Sequence, residues 1–229
     1  KDEFNYLVRS IIVNVDNEIN LENIEKVFIQ TINKWINLFS TKKKKSLERH
    51  QVQGLYAELK FIEDLIQYEP IDKILNSWTG PDGGLHDFVF NNFSFEIKSS
   101  LQESITIFSE DQLDSISSEE LFLNFRKFDL DEDGETINQI YNKIKKIIKN
   151  KDDLNLFEYK LNIAGFNQDN QYDKYKFIQK DDLNFKIDQN FPRIIKNKID
   201  DRISDVSYKI NLDGMDSELK ISDIFQRTF

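Results

Sequence analysis

The chain has no cysteine in its 229 residues, which excludes disulfides, thiolate catalysis and cysteine-based zinc sites. It has only two histidines, His50 and His86, so neither a His-rich metal centre nor a Ser-His relay is expected. No apolar run approaches the roughly 18 residues of a membrane-spanning helix, and nothing at the start resembles a signal peptide. These absences point to a cytoplasmic protein with no membrane association. The first residue is not Met, from which sequence upstream is expected. What remains is a soluble globular composition, 39% hydrophobic and 31% charged. Any chemistry has to come mainly from carboxylates and lysines.

The net charge of −10 argues against general affinity for a polyanion, but the charge is unevenly placed. Residues 109–135 hold ten acids and two bases, whereas 141–151 hold five lysines and no acid, and 42–45 read KKKK. Basic runs of this kind are usually solvated faces. Beside a catalytic cleft they would follow a phosphate backbone.

Apolar positions recur at helical spacing over 21–40 and again over 46–68, where Val52, Leu55, Tyr56, Leu59, Ile62 and Ile66 fall on one side and Pro70 helps to end the helix. Gly80, Pro81, Gly83 and Gly84 lie within five residues and mark a loop. After it the period becomes two. HDFVF (86–90) and FSFEIKS (93–99) read as strands joined by a tight Asn91-Asn92 turn. SITIF (104–108) reads as a third strand, Ser109 with Gln112 as a capping box opening a short helix, and 121–128 as a further strand. Helices are expected over 136–149 and 154–163, the second closed by Gly165, and strands at 175–179, 183–187 and 205–212. The whole is expected to be α/β, a central mixed sheet with helices on both sides. A single domain spans 1–229, with a helical portion (1–68) and an α/β portion (150–229) packed on its core.

A two-residue turn at Asn91-Asn92 makes hairpin partners sum to 183, so Phe88 faces Phe95 and Asp87 faces Glu96. Alternation then sorts His86, Phe88, Phe90, Phe93, Phe95 and Ile97 onto an apolar face, and Asp87, Val89, Ser94, Glu96 and Lys98 onto the other. Two carboxylates directly opposite have Cβ atoms about 5 Å apart and repel. A divalent cation would turn that repulsion into coordination, since hard cations take oxygen ligands. Lys98 stands roughly 7 Å further along the same face, placed to orient a metal-bound water or to stabilise charge on a phosphate. An isolated E-x-K is common and on its own describes only a solvated strand face. The preceding acid one hairpin away, the apolar opposite face and the Gly-rich entry set this one apart.

The stretches GLYAELKFIEDLI (54–66), SWTGPDGGLHDFVFNNFSFEIKSS (77–100) and ITIFSEDQLDS (105–115) resemble PD-(D/E)XK-motif proteins of bacterial restriction and phage-defence loci. The tail resembles them as well, in YDKYKFIQ (172–179), NFPRI (190–194) and VSYKINLD (206–213). The likeness spans nearly the whole chain, and the family's usual N-terminal region is expected upstream. It implies a restriction-endonuclease-like core, Mg²⁺ or Mn²⁺ as cofactor, DNA as substrate, and partner proteins from the same locus such as an ATPase. Carried over by position, Asp87 matches the first acid, Glu96 the second and Lys98 the lysine. Glu58 matches a helix glutamate that reaches the metal, and Gln112 matches a further family position, where a capping role would serve equally. The metal ligands implied are Asp87, Glu96 and Glu58. His86 stands where the motif has Pro, and the literal Pro81-Asp82 lies in the loop, 14 residues before Glu96. A catalytically silent DNA-binding or scaffold subunit is the alternative reading.

DLDEDG (129–134) imitates the start of an EF-hand calcium loop, but position twelve is Ile140 where a bidentate Glu is needed, and position eight is Thr136. An acidic turn leading into the next helix is the expectation.

Overall fold

The structure, a computed structural model, describes residues 46–113, 120–168, 170–195, 198–200, 202–203, 205–215, 217 and 219–226. The helix expected at 21–40 and the KKKK run lie outside the described residues. The first described helix, α1 (Arg49–Leu65), opens with a reciprocal capping box between Glu48 and Gln51. Val52, Leu55, Tyr56, Leu59 and Ile62 are buried as their spacing requires. Ala57, Phe61 and Leu65 are buried too, so α1 is covered on more than one face. Pro70 ends that segment and caps α2 (Ile71–Ser77), a short helix that the sequence pattern did not reveal. A 3₁₀ turn over Gly80–Asp82 follows.

The centre is a four-stranded mixed sheet. β1 (Phe88–Val89) pairs antiparallel with β2 (Phe93–Ser100) in the expected register, Phe88 opposite Phe95 and Val89 opposite Ser94. β3 (Ser104–Ile107) leaves this sheet. β2 pairs parallel with β4 (Glu120–Thr136), from Phe93 opposite Glu120 to Ser100 opposite Lys127. β4 pairs antiparallel with β5 (Lys176–Lys186), which is one continuous strand where two were expected. The order across the sheet is β1-β2-β4-β5.

β4 also runs further than its apolar segment, through the acidic stretch. Leu130 and Glu135 both sit opposite Phe177, so residues 131–134 bulge out of the ladder. Gly134 is needed there, because a Cβ would stand 2.7 Å from the Phe177 nitrogen. The acids therefore form a strand bulge just ahead of the next helix, where an acidic turn was expected. The next helix, α3 (Ile137–Ile147), is capped instead by Thr136 and Gln139, each accepting the other's main-chain N–H.

The helix α4 (Lys151–Ile163) starts on the Asn150 side chain and ends at Gly165, whose φ of 83° lets the Phe166 N–H return to the Leu161 carbonyl at 2.9 Å. A last helix, α5 (Ile221–Gln226), was not foreseen.

The described helices gather on one face of the sheet. Phe88, Phe93, Phe95, Phe122 and Phe128 from the strands meet Phe61, Ile140, Phe157 and Phe225 in one core. Helices were expected on both faces. Among the described residues the other face, with Leu121, Leu123, Phe125 and Phe185, is covered by a two-stranded ribbon of β3 and β6 (Tyr208–Asn211). No described helix is long and apolar enough to cross a membrane.

Candidate active site

β2 is buried on both faces, so the side intended for solvent is closed as well: Ser94 is 2% and Glu96 3% exposed. β1 is far shorter than β2, and its ladder stops at Phe88. Asp87 therefore does not pair with Glu96 through the backbone as the register implied. Its side chain takes over, and Asp87 Oδ2 accepts the Ile97 N–H at 2.7 Å.

The Gly-rich loop explains why the chain leaves the ladder here. Trp78 bridges to Phe88 on the far side of β1. The Thr79 and Gly80 N–H groups both donate to the Asp87 carbonyl, at 2.8 and 3.0 Å, and the Thr79 hydroxyl donates to the His86 carbonyl at 2.9 Å. Thr79's own carbonyl accepts from Asp82 and Gly84. Gly83 adopts φ 79°, and a Cβ on Gly84 would meet Thr79 at 2.7 Å. Gly80 lies so close to the acid that a Cβ there would be 2.8 Å from Asp87 Oδ1 and 3.5 Å from Glu58 Oε2.

The same turn also fixes Glu58, which α1 presents at the edge of its buried side. The Trp78 indole N–H donates to Glu58 Oε2 at 2.6 Å. Behind Trp78 stands Lys160 of α4, 3% exposed, whose ammonium donates to the Trp78 carbonyl and, at 2.8 Å, to Asp82 Oδ2. The literal Pro-Asp of the sequence thus serves to anchor the loop. Lys98 closes the group through an ion pair to Glu96 Oε1 at 2.7 Å.

Three carboxylates and one ammonium in so little water perturb one another. Burial first, opposed by the Trp78 hydrogen bond and reinforced by the charge of Glu96, pushes the Glu58 carboxyl up to about 7. Burial, then Glu96 and Glu58, hold Asp87 well above the usual carboxylate range. For Lys98 burial acts downward, but Glu96, Asp87 and Glu58 together outweigh it and raise the lysine above its ordinary value. An excess of negative charge held apart from solvent in this way is a feature of functional sites.

The donor chemistry fits a hard divalent cation. Each carboxylate has one oxygen engaged (Asp87 Oδ2, Glu58 Oε2, Glu96 Oε1) and a second oxygen in reserve. Among the described residues, no three His, Asp or Glu side chains already converge as a finished ion cage. The Lys98–Glu96 pair occupies one of the oxygens that such a cage would use.

One sequence expectation is corrected, and Gln112 takes the capping role that its sequence position also offered. His86 does not continue the apolar face of Phe88. The turn at Asp87 breaks the period of two, and the ring lies with Nδ1 3.9 Å from Glu96 Oε2. Gln112 is engaged in its own 3₁₀ turn (Glu110–Leu113), where its Oε1 accepts the Phe108 N–H at 3.0 Å. Trp78, Thr79 and Lys160, which hold the acids, were not singled out from the sequence. Only the Gly-rich loop signalled that something tight was built there.

A mixed sheet whose hairpin brings an Asp, a Glu and a Lys together beside a helix glutamate defines a PD-(D/E)XK-like protein. The chain matches over residues 1–213 the family model described as "Putative PD-(D/E)XK family member, (DUF4420)", and it belongs to that family. No curated protein and no solved structure matches it.

Proposed function

We propose that this chain is a metal-dependent endodeoxyribonuclease that hydrolyses phosphodiester bonds in a bacterial restriction or anti-phage defence system. One observation carries the reading: Lys98 is ion-paired to Glu96 in the midst of two further carboxylates, Asp87 and Glu58, whose protons are held unusually tightly.

Asp87 and Glu96 would hold Mg²⁺ or Mn²⁺, with Glu58 as a further ligand or as partner to a water. When bound, such an ion activates water and offsets charge on the phosphate and leaving oxygen. The chain's own residues do the positioning. The Ile97 N–H fixes the Asp87 carboxylate, and the Trp78 indole fixes Glu58. Lys98, held beside the acids by its ion pair to Glu96, would orient the nucleophilic water or pair with a phosphate oxygen.

The test is supercoiled-plasmid nicking in Mg²⁺ and in Mn²⁺, with Lys98→Ala and Asp87→Asn alongside. Cleavage that needs the cation and disappears in both variants supports the reading. Equal activity in all three preparations, or none in either metal, overturns it. DNA binding in Ca²⁺ without cleavage in Mg²⁺ or Mn²⁺ would favour the catalytically silent alternative. A partner from the same locus, such as an ATPase, would supply the targeting that an acidic chain lacks.

A further inference from the structure

The site holds one polar atom that none of the interactions above accounts for. The His86 ring is 6% exposed, and its Nδ1 is buried without a hydrogen-bond partner. Leaving such an atom unpaired is unfavourable. Glu96 Oε2 lies 3.9 Å from it, too far for a hydrogen bond. The unpaired nitrogen and the Glu96 carboxylate thus face each other with no bond between them, and a cation could take both as donors.

The ring is also held in place. Thr79 fixes the His86 carbonyl, and Thr79 and Gly80 fix the next carbonyl along, so the main chain that carries the buried imidazole is held.

We propose that His86 Nδ1 is a nitrogen donor to the cation held by Asp87 and Glu96, and that the site therefore favours first-row transition-metal cations, Mn²⁺ among them, over Mg²⁺. The inference rests on the metal-dependent reading above and sharpens it. Carboxylates alone suit Mg²⁺, whereas imidazole moves preference toward later divalent metals.

The chain suits a direct test because it has only one other histidine, His50, whose side chain is 75% exposed. The full chain is loaded with one equivalent of Mn²⁺, and pulsed electron paramagnetic resonance reads ¹⁴N coupling to the metal. The expected result is a directly bound imidazole nitrogen in the wild type and in His50→Gln, absent from His86→Gln. The same titrations should show His86→Gln losing about tenfold of the Mn²⁺-over-Mg²⁺ preference. The wild-type spectrum is decisive even if the His86 variant fails to fold. Mn²⁺ bound with no nitrogen coupling overturns this inference alone and leaves the nuclease reading standing. Coupling that persists in His86→Gln but vanishes in His50→Gln also overturns it. A wild type that binds no Mn²⁺ overturns both.

Discussion

Asp87 is hydrogen-bonded through Oδ2 to the main chain of Ile97, so the first acid is fastened to the strand that carries the second. The bond has a structural and a chemical consequence, and two substitutions separate them. Asp87→Ala removes the acceptor and strands a buried N–H, which should cost about 1–3 kcal/mol in urea unfolding without metal. Asp87→Asn keeps an acceptor and removes a charge that Glu96 and Glu58 oppose, so it should be at least as stable as the wild type. Both should lose cleavage and tight metal binding. Equal stability of the two variants would show that the Ile97 bond contributes nothing.

Gly80 and Gly83 make a matched pair in the same loop. A Cβ at Gly80 would stand 2.8 Å from Asp87 Oδ1 and 3.3 Å from Asp87 Cα, and the pinned Oδ2 prevents the carboxylate from simply turning away. Gly80→Ala should therefore displace the acid and reduce cleavage about 10²-fold, the scale of a 1 Å misplacement. Gly83→Ala meets open space but keeps φ 79°. It should cost about 1–2 kcal/mol of stability with cleavage per folded molecule nearly unchanged. Nicking rates normalised to the folded fraction decide it, and similar rates for both variants would refute the steric argument.

The hairpin was legible because an Asn-Asn turn and strict alternation fix a register, and Phe88 opposite Phe95 follows from both, but the ladder stops short of the expected Asp87–Glu96 pair. The alternation misled at His86, where a loop that folds back through Thr79 overrides the period of two. The acidic stretch at 129–134 lies before the next helix as expected, but its strand pairing was missed for a related reason: a bulge leaves no periodic trace, and only Gly134 hints at a close backbone approach. α2 and α5 are too short for a helical stripe to stand out. Lys160 was illegible altogether. A lysine in a polar helix looks solvated until the fold brings the Trp78 carbonyl and Asp82 to it.

Glu58 gives the metal-free protein a pH signature. Its carboxyl titrates near 7 in the fold against 4.5 for an unperturbed group, mainly through burial. Between those values the folded chain keeps a proton that the unfolded chain has released. The associated stability is present in full below about 4.5 and is lost as pH rises through about 7. Asp87, also raised, acts in the same direction. Glu58→Gln retains an acceptor for the Trp78 indole and removes the titration. Between about pH 5 and about pH 7.5 the urea midpoint should therefore fall less in Glu58→Gln than in the wild type. Parallel falls would show that Glu58 is ionised in the fold across that range.

Charge sets the last expectation. A chain of net charge −10 has to find local bases for each phosphate it contacts, and the fold occupies several of those that the sequence offers. Lys143 pairs with Glu135 and Glu63, Lys145 with Glu158, and Arg193 donates to the Leu113 carbonyl. Arg126, wholly buried, is bonded to Asp64 at 2.7 Å and lies over the Phe61 ring. With these bases engaged, the isolated chain should bind duplex DNA weakly at about 0.15 M salt and gain affinity as salt is lowered. Each phosphate contact contributes about 0.9 to the slope of log affinity against log salt, and a slope of about 3 or less would match binding through few contacts. Fluorescence anisotropy with a DNA duplex in Ca²⁺ at two salt concentrations measures both quantities. Nanomolar binding at about 0.15 M salt would show that the chain finds DNA without help from a partner.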